Sequence, residues 1–455
     1  MEGSRNVPEL RSPGPWTADA RWGGAEEAAA EVPLRAFAGW VGALGVTGPE
    51  YWGGWRPSTI RSYNSVTGDV NHVRGSESDR ATGVGSGHAW GDAAHAARVA
   101  ICEGLERYAA SIYDADQFTH ARAADLGSDA LDLNEIARFS EREIAAFSSF
   151  IDRPDKEAEI RWTPAVDLRG GGEVMVPAVM TYSIAQRWPT ERFWLPFSTG
   201  TAIHETPTKA LLAALCEIVE RDACATTWLQ QLPIPPLGEE CLTDEAREVV
   251  NWYDRRGVKT FLFDATTDFG IPVVWCTQFS PYGRHTAQTT ATACSLDQRE
   301  AALKAILECS RFTPAIEATQ PPEDFQDFAS INAGAAYSGM RSRRRAYDFL
   351  VSGYDERKRA EPRLDGDLAP QQALRLVLER LLERGCSVYG VDLTTREVSE
   401  AGLACVRVIV PQAQPLSVWP SALYLGSTRL YDAPRSMGYR VLPESDLNPY
   451  PLPVT

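Results

Sequence analysis

Twice the sequence places E-x-x-E-R inside a stretch that is otherwise apolar, and this limits the possible folds more than any other feature. The first copy is Glu103, Glu106 and Arg107 in ARVAICEGLERYAA; the second is Glu217, Glu220 and Arg221 in ALLAALCEIVERDACATTW. Helical residues three and four apart share a face. Each copy therefore sets two carboxylates and one guanidinium side by side on a helix whose neighbours call for burial. A third such stretch, EAALKAILECSRF, offers Glu308 and Arg311. Taken singly, these pairs are common on solvated helices, where they contribute only ~0.3–0.5 kcal/mol. Three features argue for burial instead: the repeated spacing, the apolar flanks, and the Gly- or Ser/Thr-bearing segment before each of the first two helices. A lone buried carboxylate is costly. Mg2+ compensates it, prefers oxygen ligands, and bridges carboxylates to nucleotide phosphates. Arg107, Arg221 and Arg311 then become phosphate forks or clamps. The pattern predicts a cage of helix glutamates for metal-bound ATP.

Other chemistries find less support. The chain of 455 residues has a net charge of −16, which argues against general nucleic-acid binding. None of the nine cysteines forms C-x-x-C; buried free thiols in a reducing, cytoplasmic setting are expected. No apolar run is long enough for a membrane span, and the N-terminus has no secretory pattern. Walker A, G-x-G-x-x-G and G-x-S-x-G are all missing. GVGSGHAW (83–90) reads as a glycine-rich loop opening a helix, where free amides can receive a phosphate; Ser86 and His88 lie in it. RSRRR (341–345) is a local cationic cluster, and a solvated helix start is favoured over binding of a phosphate or an acidic peptide.

Along the chain, residues 1 to about 25 are polar and rich in Pro and Gly, 25–43 suggest a short helix, and 45–58 a loop. A strand is expected near 58–74. Long helices follow at about 91–111, 207–228 and 298–312, with more helix over 122–150 and a strand at 175–185. Two stretches, 257–279 and 385–411, each read as strand, D-x-T-T, strand, which suggests a duplicated unit in an α+β architecture.

Together these segments resemble the YcaO family. The carriers are GSGHAWGDAAHAARVAICEGLERY, PFSTGTAIHETPTKALLAALCEIVERDA, EAALKAILECSR and VRVIVPQAQPL. The resemblance implies an α+β YcaO-type fold with mixed sheets and an ATP–Mg2+ site without a P-loop. Residues 1–75 would be an N-terminal extension and lead-in, and 76–455 the YcaO domain. Glu103, Glu106, Glu217, Glu220 and Glu308 are implied as metal or nucleotide contacts. Ser86, His88, Arg107, Ser198, Arg221 and Arg311 are implied as cofactor-binding. The chain departs from many relatives at His88 (Lys there), at Ser198-Thr199 (Ser-Asn), and at Val99 and Ala213 (polar). The C-terminal NPYPLPVT carries Pro449, Pro451 and Pro453 and ends at Thr455. It resembles the tail of the azoline-forming branch, where it reaches the active site, so these four residues are expected in catalysis. Its removal is expected to leave the melting temperature nearly unchanged. The activity implied is ATP-dependent cyclodehydration of Cys, Ser or Thr in a ribosomally made precursor peptide, with a thioamide-forming enzyme or a non-catalytic scaffold as alternatives. The implied partners are a separate E1-like (ThiF-like) protein that binds the leader peptide, a flavin-dependent azoline dehydrogenase, and further copies of the chain in a homo-oligomer. The separate leader-binding protein is expected because only about 75 residues precede the glycine-rich segment.

Overall fold

The computed structural model describes residues 45–47, 60–67, 70, 84–184, 187–311, 313–321, 323, 331–363 and 367–454. The helix expected at 25–43 lies outside them, as do all of 71–83 and Thr455.

Twelve strands form three sheets among the described residues. The first joins β1 (Gly45–Thr47), β2 (Ile60–Val66) and β3 (Val84–Trp90). The largest has the order β4 (Thr119–Arg122), β5 (Glu159–Asp167), β11 (Tyr389–Asp392), β12 (Ala404–Ile409), β7 (Thr201–His204), with β6 (Glu173–Pro177) also on β5. The third is β10 (Gln288–Cys294), β9 (Val273–Phe279), β8 (Lys259–Asp264). Every ladder is antiparallel, so the α+β class is as expected while the mixed pairing is not. The reason is short-range connection: β5–β6, β8–β9–β10 and β11–β12 return by brief links, which can join only antiparallel neighbours.

Three long helices pack on these sheets: α1 (Ala93–Ser111), α2 (Pro207–Leu229) and α3 (Gln298–Arg311). Asp92 caps α1 by accepting from His95 N at 2.9 Å. Thr206 caps α2 through Lys209 N at 3.3 Å, and Pro207 occupies the first turn, where no N–H is required. α2 ends before Gln231, whose φ of 50° turns the chain away. Both faces of the third sheet are buried. On one, Trp275 stacks on Trp228 of α2 with ring centroids 6.2 Å apart; on the other, Cys276, Ala291 and Ala293 meet Ala301 and Ala305 of α3. Truncating Trp228 to Ala would cost about 3–5 kcal/mol.

The glycine-rich segment is a strand, which corrects the loop expected there. A Cβ on Gly85 would lie 2.2 Å from Ala100 O, and one on Gly87 2.0 Å from Ala96 O. The glycines let α1 lie directly on the β3 backbone. The two strand–D-x-T-T–strand units are both present. Thr266 N donates to Asp264 Oδ1 at 3.0 Å and Thr394 N to Asp392 Oδ1 at 2.9 Å, the same side-chain turn leaving β8 and β11. The 175–185 segment is strand only to Pro177; Ala178–Thr181 is one buried helical turn.

Candidate active site

The glutamates are delivered by one local design used repeatedly. Ser86 N in β3 donates to Glu103 Oε2 at 2.8 Å, seventeen residues on. Gly200 N, just before β7, donates to Glu217 Oε2 at 2.9 Å across the same interval. The helix caps Asp92 and Thr206 stand equally far ahead of Glu103 and Glu217. α3 follows suit: Ala301 N donates to Asp297 O at 3.1 Å, and Asp297 precedes Glu308 by the same interval. In this third copy Arg311 stands where Glu106 and Glu220 stand in the others. Ser198 contributes as a turn: its carbonyl accepts from Thr201 N at 2.9 Å. Gly200, with φ 85°, takes the left-handed position of that turn.

The carboxylates hold distinct partners. Arg107 Nη2 donates to Glu103 Oε1 at 3.0 Å. Arg221 lies 3.3 Å from Glu220 Oε1 and 3.7 Å from Glu217 Oε1. Glu220 also accepts from Thr292 Oγ1 and Cys294 N, each at 3.1 Å. Burial pushes Glu106 well above the ordinary carboxylate range, with Glu217 and Glu103 adding repulsion against the pull of Arg107. Burial raises Glu220 to about 7, and Glu308 and Glu217 push the same way. Glu308 is also raised, by burial and then by Glu103 and Glu217, against Arg221 and Arg311. The five glutamates thus feel one another as a single cluster. Burial, with the Arg311 charge acting the same way, lowers His88 to about 3. His88 is therefore neutral and cannot act as the cation that a lysine would supply there.

The sequence reading missed Arg407. It is the charged side chain in the buried strand ACVRVI, and that interruption was the available signal. Its Nη1 donates to Thr201 Oγ1 at 2.9 Å and its Nε to Met180 O at 3.0 Å. Burial lowers its pKa to about 10, while Glu217 and Glu106 oppose the shift. A cleft of about 40 Å³ opens beside Arg221 and Arg407, walled by Met180, Trp194, Phe197 and Leu416.

Hard oxygen donors, half-buried and close enough to repel one another, fit Mg2+ and the phosphates it bridges. A closed all-protein cage is not present: among the described residues, no three Asp, Glu, His or Cys side chains converge as a metal centre. Glu103 and Glu217 each rest on a backbone N–H from the strand side, and Glu217 and Glu220 share Arg221.

The C-terminal arm is pinned beside α2. Trp228 Nε1 donates to Tyr450 O at 3.0 Å, and Ser338 Oγ to Pro451 O at 3.1 Å. Pro451 and Pro453 are buried and Pro449 is exposed. Leu452 and Val454 are each 3% exposed in the main core, so the expectation that removing the arm spares the melting temperature is wrong.

Residues 90–414 match the family described as YcaO cyclodehydratase, ATP- and Mg2+-binding. This covers most of the chain, which belongs to the YcaO family and is an ATP-dependent enzyme with ATP and Mg2+ as cofactors. Its relatives include an uncharacterized protein of the tfuA 3′ region in Rhizobium leguminosarum bv. trifolii. That protein is 28% identical over 330 residues, 69% of this chain and 72% of the relative. The fold is shared with a heterocyclase solved with substrate and cofactor (TM-score 0.75, 19% identity, 95% of this chain and 58% of that one). It is shared also with the heterocyclase TruD (TM-score 0.61, 23% identity, 80% and 51%). The YcaO protein of Methanopyrus kandleri bound to AMPPCP and Mg2+ has TM-score 0.55 at 18% identity, over 81% of this chain and 86% of that one. The chain spans only a little over half of the two heterocyclases. Among the described residues no helix is long and apolar enough to cross a membrane.

Proposed function

We propose that the chain is a peptide cyclodehydratase that converts Cys, Ser or Thr of a precursor peptide to azolines. The observation that carries this reading is the meeting of glutamates from three strand–helix units, with the proline-rich arm hydrogen-bonded to the helix bearing two of them. The side-chain S–H or O–H adds to the preceding carbonyl carbon and its proton is lost. The former carbonyl oxygen takes the γ-phosphoryl group of ATP, and ADP leaves. The amide nitrogen then gives up its proton, the C–O bond breaks, and phosphate departs with the oxygen, leaving the C=N of the ring. Glu103, Glu106, Glu217, Glu220 and Glu308 would hold Mg2+ and the nucleotide, and the metal bound there would supply positive charge against the transferring phosphoryl group. Arg107, Arg221, Arg311 and Arg407 orient the phosphates. Ser86 and Ser198 act through the backbone that orients Glu103 and Glu217, and His88 as a neutral hydrogen-bonding group. The arm, with Pro449, Pro451, Pro453 and Thr455, shapes the site where the peptide enters.

The domain is taken as residues 76–455, working in the cytoplasm as a homo-oligomer with a separate leader-binding partner. A dehydrogenase acting on the azolines would follow. The test is mass spectrometry of the precursor peptide incubated with the chain, its partner and Mg-ATP. One water lost per ring is expected; an unchanged peptide mass despite ATP consumption would refute the reading. A gain of sulfur in place of oxygen would favour the thioamide-forming alternative.

A further inference from the structure

The basic run at 341–345 has no part in the site above. It forms a short 3-10 turn, Arg341–Tyr347, in which Ala346 and Tyr347 are buried while Arg341, Arg344 and Arg345 are exposed. Arg341 Nη2 donates to Pro281 O at 2.7 Å, and the Arg344 guanidinium lies 4.2 Å over the Phe279 ring. The turn is thus clamped to the β9–β10 hairpin. At the tip of that hairpin Tyr282 is 70% exposed, and Arg284 is exposed beside it. The nearby carboxylate of Glu317 is already engaged by Arg284 N, His285 N and Thr286 Oγ1; Asp348, exposed at the end of the turn, offsets part of the charge. An exposed tyrosine among four exposed arginines has the composition of a binding hot spot. It is a local reversal of sign on a chain of net charge −16.

Its position indicates the occupant. Gln288, at the start of β10, donates to Ser338 O at 2.8 Å and to Met340 O at 2.6 Å, tying the strand to the start of the basic turn. Thr292, further along β10, reaches Glu220. At ~3.3 Å per residue, the patch begins about 13 Å from that contact. The C-terminal arm runs against the same turn, with the Arg343 guanidinium 6.0 Å from the Tyr450 ring.

We propose that this surface binds an acidic segment of the peptide substrate, about four or more residues from the one being cyclised. The proposal rests on the cyclodehydratase reading for what happens at Glu220, but binding at the patch needs no turnover. The test is fluorescence anisotropy of the full chain with a fluorescein-labelled Gly-Glu repeat peptide and its Gly-Gln counterpart at low salt. The Glu probe should bind about tenfold more tightly, and added salt should erase the difference. Arg341→Glu/Arg344→Glu/Arg345→Glu should abolish the preference and the corresponding triple Lys variant keep it, with both variants still folding cooperatively and binding nucleotide as the wild type does. Equal binding of the two probes, or a preference that survives charge reversal, would overturn the proposal. So would a partner protein that needs these arginines while the Glu probe ignores them. Failure of the cyclodehydratase reading would look different: the precursor would lose no water although the Glu probe still bound through the arginines.

Discussion

Glu220 concentrates the physics of the site in one residue. It is held by Arg221, Thr292 Oγ1 and Cys294 N, yet burial lifts its pKa to about 7. Between the ordinary carboxylate pKa and about 7, the folded chain holds a proton that the unfolded chain has released. Stability of the metal-free protein therefore falls as pH rises through that window. With Glu220 as a ligand, as proposed, Mg2+ requires the carboxylate, so its binding expels the proton and gains from rising pH. The melting-temperature increase produced by Mg-ATP should be larger at about pH 8 than at about pH 6, with protons released on binding in calorimetry at the lower pH. Glu220→Gln should reduce this dependence, with Glu106 and Glu308, which burial also raises, carrying the remainder. A pH-independent increase in the wild type would mean that Glu220 does not titrate against the metal. The glutamates were legible in the sequence because their spacing repeats. Arg407 was not, since its partners Thr201, Met180, Glu106 and Glu217 come together only through sheet pairing.

The strand–cap–helix unit explains both what the sequence disclosed and what it concealed. Helix positions followed from periodicity and caps: α1, α2 and α3 lie within about two residues of expectation. The strand β3 was concealed because glycine ordinarily marks turns, whereas Gly85 and Gly87 here serve close packing on α1. Gly87→Val should thus be severe: its Cβ would strike Ala96 O, a backbone atom that cannot step aside. A loss of about 3 kcal/mol or more is expected in urea unfolding, with Glu103 displaced and nucleotide binding weakened. Wild-type stability for that variant would return the segment to a loop. The arm behaves as an element of the core. Proline at alternate positions favours an extended course, but nothing in the sequence of Leu452 and Val454 shows how deeply they are buried. Deleting residues 449–455 should cost about 3 kcal/mol or more from lost apolar burial alone. Appending Gly-Ser after Thr455 leaves those contacts in place and separates the two roles. Ring formation should fall at least about tenfold with little change in melting temperature; ring formation at the normal rate would make the arm purely structural.

At the scale of the whole molecule, the proposed site has a chain of strongly negative net charge meet a polyanionic nucleotide with arginines gathered from α1, α2, α3 and β12 around half-buried glutamates. Neither charge set is stable alone: the carboxylates repel one another, and the guanidiniums lose hydration. On the proposed reading, metal and phosphates complete the arrangement. The central claim is that this cluster transfers phosphoryl from ATP to a backbone amide oxygen. The most direct measurement places oxygen-18 in the carbonyl preceding the residue to be cyclised and follows the label after reaction with Mg-ATP and the leader-binding partner. The account predicts that the label is recovered in inorganic phosphate, one atom per ring, and that Glu217→Gln, folded as judged by its melting curve, yields neither ring nor labelled phosphate. Label released as water, or rings formed at the wild-type rate by Glu217→Gln, would contradict it.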